Sequence, residues 1–277
     1  MTGAFIGQVA ASELGDPVTD EVRALIRTAL DEDLRYGPDV TSVATVPADA
    51  VTDAAIVSRG DGVIAGVPVV LAVFDEVIGA GEYTVTTQVA DGTRVGRGDV
   101  VLAVHAPTRA LLTAERTALN LICHLSGIAT TTAQWVAELE GTSAKVRDSR
   151  KTLPGLRSLQ KYAVRACGGV NHRLGLGDAA LIKDNHVAAA GSVSAALEAV
   201  RTAAPDIPVE VEVDSLGQLD EVLERKPQLV LLDNFEPWAT QMAVQRRNTR
   251  SPETKLESSG GLTLDVARDY ARTGVDY

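Results

Sequence analysis

The chain has 277 residues and a formal net charge of −11, and 45% of its residues are hydrophobic. This length favours about two domains with a sizeable core. The negative charge argues against nucleic acid or an anionic membrane as partner. We expect no transmembrane helix, because no apolar run approaches the ~20 residues that one needs, and no signal peptide, because residues 1–16 carry no basic n-region. The two cysteines make no disulfide framework, and we expect a reduced, cytoplasmic protein.

Positive charge is concentrated in one part of the chain. Between Lys145 and His186 there are nine basic and three acidic residues, a local charge of +6 that leaves −17 for the remainder. A cationic block in an acidic protein attracts small polyanions. Part of it, Arg157, Lys161 and Arg165 at four-residue spacing, is equally typical of a solvated helix face. Four others fall beside predicted strand ends and glycines and favour an anion-binding site: Arg150, Lys151, Arg173 and Lys183.

The first half of the chain predicts a helix followed by a small β-rich domain. Val18 to Leu34 has the apolar periodicity of an amphipathic helix. From about Val40 to Val104, short strand patterns alternate with glycine turns. A long helix is predicted next, from Arg109 to about Leu125, and it continues over Ile128 to Leu139. Arg116, Asn120 and His124 follow at four-residue steps on one face of this helix, a pattern typical of an exposed surface.

The second half alternates strands and helices. Strands are predicted at Ala144–Asp148, Ala180–Lys183, Val209–Asp214, Leu229–Asp233 and Lys255–Ser258, with a sixth beginning at Val275. Helices are predicted at Leu156–Ala166, Val193–Ala203, Leu216–Arg225, Pro237–Arg246 and Leu264–Thr273. Repeated βα units imply a parallel sheet. The polar residues cluster after the strands, as in an α/β barrel whose site lies at the carboxyl ends of its strands.

Four predicted strand ends carry groups suited to chemistry. These are Asp148, Arg150 and Lys151; then Lys183 to His186; then Glu210, Glu212 and Asp214; and finally Asp233. Carboxylates at alternate positions of one strand share a face, and burying them is costly unless cations meet them. We therefore expect lysines, arginines or Mg²⁺ opposite them. A salt-bridge network without any ligand is the alternative.

Two glycine-containing segments complete the pattern. The string ESSGG, Glu257 to Gly261, precedes a predicted helix, and free backbone N–H groups at such a position suit a phosphate. His172 and Arg173 lie on a glycine-rich turn. The sequence contains neither zinc-ligand spacing nor a P-loop. The residues alone predict an α/β barrel enzyme that acts on a small, strongly anionic substrate, with phosphate involved.

Seven sequence strings occur in order from Leu30 to beyond Gly261. They are LDEDLRYGPDVT, LLTAERTALNLICHLSGIAT, DSRKTLPGLR, QKYAVRACGGVNHRLGLGDAALIKDNH, VEVEVDSLGQLD, LLDNF and LESSGG. The set is specific, although any one string would not be. With this set the chain resembles the quinolinate phosphoribosyltransferases of the actinobacterial type, also called nicotinate-nucleotide pyrophosphorylases (carboxylating).

The resemblance implies a fold, an assembly and a reaction. The fold is an N-terminal α/β sandwich domain with its linking helix, residues 1–125, and a C-terminal open α/β barrel, residues 126–277, of the type II phosphoribosyltransferase kind. The assembly is a homodimer in which the partner's N-terminal domain completes each site. The reaction is Mg²⁺-dependent transfer of phosphoribosyl from phosphoribosyl pyrophosphate to quinolinate with decarboxylation. It gives nicotinic acid mononucleotide, pyrophosphate and CO2 for NAD synthesis.

The resemblance also implies residue roles. Quinolinate binding is assigned to Arg116, acting across the dimer, and to Arg150, His172, Arg173 and Lys183. The phosphoribosyl donor and its phosphate are assigned to Lys151, Ser259, Gly260 and Gly261. The catalytic set is Lys151, Lys183, Glu212 and Asp233, and the two acids would also hold the Mg²⁺–diphosphate.

The last residues depart from the family pattern. Family members continue beyond Tyr277, so we expect a barrel cut short in its sixth strand. Its neighbours' backbone groups would then be unpaired, and the phosphate end of the site would be weakened.

Three other functions stay open. A sister phosphoribosyltransferase for a different ring would share the barrel and the phosphate loop but would need fewer cations. A biotinyl- or lipoyl-like carrier is suggested by VADGTRVGRGDVVLAV, but Val51–Val104 contains no lysine to modify. An inactive relative would bind the same ligands without turnover.

Overall fold

The computed structural model describes residues 14–277, which divide into two compact units. The first comprises residues 14–133 and 151–169, and the second comprises residues 134–150 and 170–277. Most of the stretch interpreted as lacking a signal peptide, residues 1–13, lies outside the described residues. Within residues 14–277, no helix combines the length and apolar character needed to cross a membrane.

The N-terminal unit combines helices with small antiparallel sheets. Its helices are α1 (Asp20–Leu34), α2 (Val40–Thr45), α3 (Val67–Val77), most of α4 (Thr108–Glu138) and α5 (Arg157–Arg165). Its strands are β1 (Val51–Val57), β2 (Gly62–Val63), β3 (Thr84–Gln88), β4 (Arg94–Val95) and β5 (Val100–Pro107). One sheet has the order β1–β5–β3, and β2 pairs with β4. The two predicted helical stretches of residues 109–139 form the single helix α4.

Helix α3 is an element that the sequence pattern did not predict. It follows Gly66, whose φ of 104° places it in the left-handed region. The carboxylate of Asp91 accepts hydrogen bonds from the backbone N–H groups of Gly66 and Val67, at 2.8 and 3.0 Å. A side chain distant in sequence therefore caps this helix. A short apolar run between glycines fits a buried helix as well as a buried strand, so periodicity alone did not separate them.

Residues 151–169 pack with the N-terminal unit, although they lie within the range expected for the barrel. Leu159, Tyr162 and Ala163 of α5 are buried in its core. The Tyr162 hydroxyl donates to Asp91 Oδ2 at 2.7 Å. Contacts between segments distant in the chain thus make the unit discontinuous in sequence.

The C-terminal unit is a parallel-sheet α/β structure. Its sheet has the order β6 (Ala180–Ile182), β7 (Val209–Val213), β8 (Leu229–Asp233) and β9 (Lys255–Ser259). Its helices are α6 (Asp184–Ala190), α7 (Val193–Ala203), α8 (Leu216–Leu223), α9 (Pro237–Arg250) and α10 (Leu264–Arg272). The predicted bounds of β8 and α7 are confirmed. Helix α6 was not predicted, because its residues were interpreted as a polar strand end.

Short segments extend the hydrogen bonding beyond β9. The backbone N–H groups of Asp276 and Tyr277 donate to Leu256 O at 2.9 and 3.1 Å, and Ser258 N donates to Tyr277 O at 2.9 Å. Lys145 N in turn donates to Asp276 O at 2.9 Å. The expectation that the backbone groups next to Val275–Tyr277 are unpaired is therefore wrong at these positions.

The predicted strand Ala144–Asp148 is largely absent from the structure. It is reduced to an isolated parallel bridge between Arg147 and Val170. The backbone of this segment still pairs with two others, since Val170 N donates to Val146 O at 2.8 Å and Lys145 N donates to Asp276 O at 2.9 Å.

The main sheet has an apolar face and a polar face. Val211, Val230, Leu232 and Leu256 belong to the buried cluster that includes the helix residues Leu197 and Leu219. The residues between them project to the opposite face, because side chains alternate along a strand. Register aligns Glu212 with Leu231, Leu231 with Glu257, and Asp233 with Ser259. Carboxylates from three strands therefore share the polar face.

Candidate functional site

The strand ends of β6 and β7 bring together a lysine and a carboxylate. Lys183 directly follows β6, and its Nζ lies 2.5 Å from Glu212 Oε2 on β7. The lysine side chain is 46% exposed and the glutamate side chain 17% exposed. A pair this accessible contributes little to stability. Both groups can therefore turn toward a bound ligand at small cost.

A second group of charges is buried between β7, β9 and the 145–148 segment. Arg147 Nη1 lies 2.5 Å from Glu257 Oε2 and 3.7 Å from Glu210 Oε1. The Arg147 guanidinium also lies over the Tyr277 ring, 4.9 Å from its centroid. Burial and the nearby carboxylate of Glu210 raise the pKa of Glu257 to about 7.

His172 joins this buried group to the glycine-rich turn. Its Nε2 lies 2.7 Å from Glu210 Oε2, and its Nδ1 accepts a hydrogen bond of 2.7 Å from the backbone N–H of Arg173. The backbone N–H of His172 donates to Asp148 Oδ1 at 2.7 Å, and Asn171 Nδ2 donates to Asp148 Oδ2 at 2.6 Å. Two carboxylates thus fix this turn.

His172, Glu210 and Glu257 also offer potential metal ligands within 4.8 Å of one another. Arg147 already occupies the space next to Glu257, and His172 is within hydrogen-bond distance of Glu210. A guanidinium supplies the positive charge that a cation would bring. We therefore assign no metal to this group.

Arg150 and Arg173 carry hydrogen-bond donors that the protein leaves unused. The Nε atoms of both are buried and have no hydrogen-bond partner among the described residues. Arg173 Nη1 donates to Ala179 O at 2.9 Å, which orients the guanidinium. Burial lowers the pKa of Arg173, and the positive charge of Arg150 lowers it further. Two guanidiniums close enough to repel each other are suited to a bound anion, which would neutralise both.

The phosphate-loop candidate follows β9. Asn234 N donates to Ser259 O at 2.8 Å, and Asn234 Nδ2 donates to Asp233 Oδ2 at 2.9 Å. A Cβ on Gly260, whose φ is 93°, would meet Asn234 Oδ1 at 2.2 Å. Gly261 also has a positive φ, of 63°. The close approach of the two loops therefore requires glycine, as expected for backbone that approaches a ligand.

Arg116 and Lys151 belong to the N-terminal unit. Arg116 is exposed on α4 and lines an open groove of about 1180 Å³ in that unit. His124 lies on the same face of α4, and its Nε2 is 2.8 Å from Gln160 Nε2. Lys151 is exposed and directly follows Arg150. The predicted polar stripe on the long helix is thus accessible at Arg116 and engaged with the protein at His124.

Sequence reasoning assigned no site role to Arg147 or Asp178, and it named Glu257 only as the first residue of the ESSGG string. Asp178 closes the turn after Arg173 by accepting hydrogen bonds from the backbone N–H groups of Leu174 and Gly175, at 2.6 and 2.8 Å. One signal could have identified Glu257, because it lies within the predicted strand Lys255–Ser258, two positions before Ser259, and a period of two places side chains on one face. The partnership of Arg147 and Glu257 joins residues 110 positions apart, and no local pattern encodes it.

Comparisons with known proteins identify the family of the chain. Residues 39–126 match the family model of the quinolinate phosphoribosyl transferase N-terminal domain, and residues 128–277 match that of the C-terminal domain. The nicotinate-nucleotide pyrophosphorylase (carboxylating) of Mycobacterium leprae is 63% identical over 264 residues, which cover 95% of this chain and 93% of the relative. A probable enzyme of the same name from Bacillus subtilis is 37% identical, over 93% of this chain and 87% of the relative.

A solved structure also matches. The nicotinate-nucleotide pyrophosphorylase of Francisella tularensis superposes with a TM-score of 0.88 at 35% identity, covering 94% of this chain and 91% of that one. Both domains of the family model are present in order, and the relatives match over nearly their whole length. The chain belongs to the quinolinate phosphoribosyl transferase family.

Proposed function

We propose that this chain transfers phosphoribosyl from phosphoribosyl pyrophosphate to quinolinate and releases CO2 and pyrophosphate, giving nicotinic acid mononucleotide for NAD synthesis. The observation that carries the proposal is the pair Arg150 and Arg173, whose buried Nε donors have no partner among the described residues. Family membership and the 63% identical relative support it. A sister enzyme for a ring with a single carboxylate would not need two such guanidiniums.

The two arginines suit a dicarboxylate because each guanidinium forms a planar fork of donors. A carboxylate can accept two parallel N–H bonds from one fork. An unpaired buried donor costs about 1–3 kcal/mol, so the two unpaired donors destabilise the unliganded protein. A bound dianion that accepts hydrogen bonds from them removes this cost. Mutual repulsion of the two cations adds to this gain, since the dianion neutralises both.

The donor side of the reaction fits the other end of the polar face. The loop Ser259–Gly261 lies shortly before α10, a place suited to the 5′-phosphate. Glu212 and Asp233 lie near the carboxyl ends of the neighbouring strands β7 and β8, and they would lie near the ribose. Lys183, paired with Glu212 at 2.5 Å, would stand between the two substrates and favour their approach through its charge.

The proposed reaction needs no covalent enzyme intermediate. The ring nitrogen of quinolinate attacks C1 of the ribose, and the C1–O bond to pyrophosphate breaks with its electron pair leaving on the pyrophosphate. Nearby carboxylates stabilise the positive charge that develops at C1. The resulting pyridinium then accepts the electron pair of the adjacent C–C bond as CO2 departs, and a proton from solvent replaces the carboxylate. Holding the two reactants in line supplies several kcal/mol of the acceleration.

Mg²⁺ fits the residues at the strand ends. Glu212 and Asp233 offer oxygen ligands, which this hard cation prefers together with substrate phosphates and water. Their partners, Lys183 and Asn234, hold them by hydrogen bonds that a cation can displace. Bound there with the diphosphate, Mg²⁺ would neutralise the charge of the leaving group. Mg²⁺ dependence is therefore part of the proposal.

A homodimer with shared sites is also part of the proposal. Arg116 is exposed and lines the groove of the N-terminal unit, where a second copy could be accommodated. We propose that it contacts quinolinate bound to the partner subunit, while Lys151 contacts the phosphoribosyl donor in its own subunit.

Calorimetric titration tests the substrate assignment without turnover. We expect quinolinate to bind about 10 to 100 times more tightly than nicotinate, since the second carboxylate gains a charge-assisted hydrogen bond worth about 1.5–3 kcal/mol. Phthalate, a dicarboxylate that cannot react, should compete with quinolinate. Equal affinity for the one- and two-carboxylate rings would contradict the proposal.

A further inference from the structure

We infer that Gln160 is a positioning residue that fixes the Lys151 loop, residues 151–156, for the phosphoribosyl donor. The inference rests on the proposed function, which gives Lys151 the contact with that donor. It assigns a role to a side chain that neither the charge pattern nor the family resemblance identified.

The Lys151 loop has no regular structure of its own. Residues 151–156 contain neither helix nor strand, and they form a turn in which Leu156 N donates to Leu153 O at 3.1 Å. A segment without a ladder or helix opens readily unless side chains hold its backbone. The position of Lys151 therefore depends on the contacts that the rest of the loop makes.

Two side chains of α5 contact this loop. Gln160 Oε1 accepts a hydrogen bond from the backbone N–H of Leu153 at 3.3 Å, and Arg157 Nε donates to Thr152 Oγ1 at 3.1 Å. Leu153 lies two positions after Lys151, so the bond to Gln160 restrains the backbone close to the lysine. Gln160 is buried, with 9% of its surface exposed, and a hydrogen bond shielded from water is the stronger for it.

The Gln160 amide is held at both ends. Its Nε2 lies 2.8 Å from Nε2 of His124 on α4. A backbone N–H can only donate, so the amide oxygen faces Leu153 and the amide nitrogen faces His124. A reversed amide would set its NH2 group against the N–H of Leu153. The side chain is therefore fixed in one orientation, with its acceptor toward the loop.

Helix α5 is itself firmly anchored. Leu159, Tyr162 and Ala163 are 1%, 4% and 0% exposed, and the Tyr162 hydroxyl donates to Asp91 Oδ2 at 2.7 Å. The helix that carries Gln160 thus belongs to the core of the N-terminal unit. Through Gln160, the loop takes its position from that core.

The consequence concerns the phosphoribosyl donor. Without the amide, the N–H of Leu153 loses its partner and the loop samples more conformations. Binding of the donor must then order the loop as well as neutralise charge, and this ordering weakens the affinity. Quinolinate should be affected less, because its proposed ligands lie outside residues 151–156.

Hydrogen exchange of the Leu153 amide, followed by NMR, tests the contact without any ligand. In Gln160→Met this amide should exchange about threefold to tenfold faster than in the parent, the range for losing one hydrogen bond. Gln160→Glu keeps an acceptor oxygen and should retain the protection. Gln88→Met, at an exposed position of β3, is the matched control and should leave the rate unchanged. Equal rates in the parent and Gln160→Met, or loss of protection in Gln160→Glu, would overturn the inference.

Calorimetric titration with phosphoribosyl pyrophosphate tests the effect on the donor. Gln160→Met should raise the Kd of this ligand about threefold to tenfold and that of quinolinate less than about twofold, since only the first ligand needs the ordered loop. Gln88→Met should bind both ligands like the parent. Equal losses for the two ligands in Gln160→Met would contradict the inference.

A double-mutant cycle tests whether the effect passes through Lys151. In the Lys151→Ala background, Gln160→Met should change the Kd of phosphoribosyl pyrophosphate less than about twofold, because residues that act through one another are not additive. Losses that simply add would show that Gln160 does not act by positioning the lysine. If the parent protein binds no phosphoribosyl pyrophosphate, the proposed function fails while the exchange result still stands.

Discussion

Arg147 Nη1 lies 2.5 Å from Glu257 Oε2 in the interior of the C-terminal unit. With Glu210 near the same guanidinium, the group contains two carboxylates and one permanent cation. This composition makes the group sensitive to pH, and it links the stability of the barrel unit to the charges that underlie the proposed quinolinate site.

The stability of this unit should fall as pH rises from about 4.5 to above 7. The pKa of Glu257 is raised from 4.5 to about 7, so the folded state holds a proton that the unfolded state releases. Its stabilisation is complete below about pH 4.5 and is lost as pH rises through 7, by up to about 3 kcal/mol. Urea unfolding across this range should show the fall in the parent and a flatter profile in Glu257→Gln. Parallel profiles would show that Glu257 is not the group responsible.

Truncating Arg150 should damage quinolinate turnover selectively. Arg150→Ala should lower kcat/KM for quinolinate. The corresponding activation free energy should rise by about 2–5 kcal/mol, the range for removing one side of a buried charge pair. Arg272→Ala, on the exposed end of α10, serves as the control for removing a surface arginine and should behave like the parent. Steady-state kinetics with either substrate varied would measure both. Unchanged kinetics for Arg150→Ala would exclude it as a ligand.

A single methyl group at Gly260 should disrupt the proposed phosphate loop. Its Cβ would lie 2.2 Å from Asn234 Oδ1, and φ is 93°, so Gly260→Ala must displace one of the two loops. We expect the KM for phosphoribosyl pyrophosphate to rise at least tenfold, roughly the effect of 1.4 kcal/mol, while quinolinate affinity changes little. Gly217→Ala, where a Cβ meets nothing within 4 Å, is the matched control. An equal effect of the two substitutions would place the phosphate elsewhere.

Mixed dimers should test whether Arg116 acts in the partner's site. Arg116→Ala and Lys151→Ala should each be inactive alone. In a heterodimer, one site combines an intact Lys151 with an intact Arg116 from the other chain, so about a quarter of the parent's activity should return after subunit exchange. If Arg116 serves its own subunit, no site is intact and activity stays absent even when exchange is demonstrated by mass labelling.

The sequence predicted the alternation of strands and helices in the C-terminal unit well, because the two kinds of element have strong and distinct hydrophobic periods. Leu229–Asp233 and Val193–Ala203 have the same bounds in the structure as in the prediction. The short apolar run that forms α3 was ambiguous. The capping of that helix by Asp91 depends on contacts between distant segments, which local patterns do not contain.

The candidate site was predicted only in part, because it also depends on contacts between distant segments. The expectation that cations meet the carboxylates of β7 is confirmed for Glu210 and Glu212, which lie near Arg147 and Lys183. Asp214 instead lies exposed beyond the strand, because β7 ends at Val213. The sequence could not indicate which cation meets which acid, since that depends on strand register. The assignments of individual residues to quinolinate and to the phosphoribosyl donor stay predictions.

The most direct test of the proposed function is the fate of the carboxyl group beside the ring nitrogen. Quinolinate labelled with radioactive carbon at that carboxyl is incubated with the protein, phosphoribosyl pyrophosphate and Mg²⁺, and labelled CO2 and pyrophosphate are measured together. The proposal predicts one CO2 for each pyrophosphate, with unlabelled nicotinic acid mononucleotide as the product and no reaction when nicotinate replaces quinolinate. Pyrophosphate release without labelled CO2, or turnover of nicotinate at a similar rate, would contradict it.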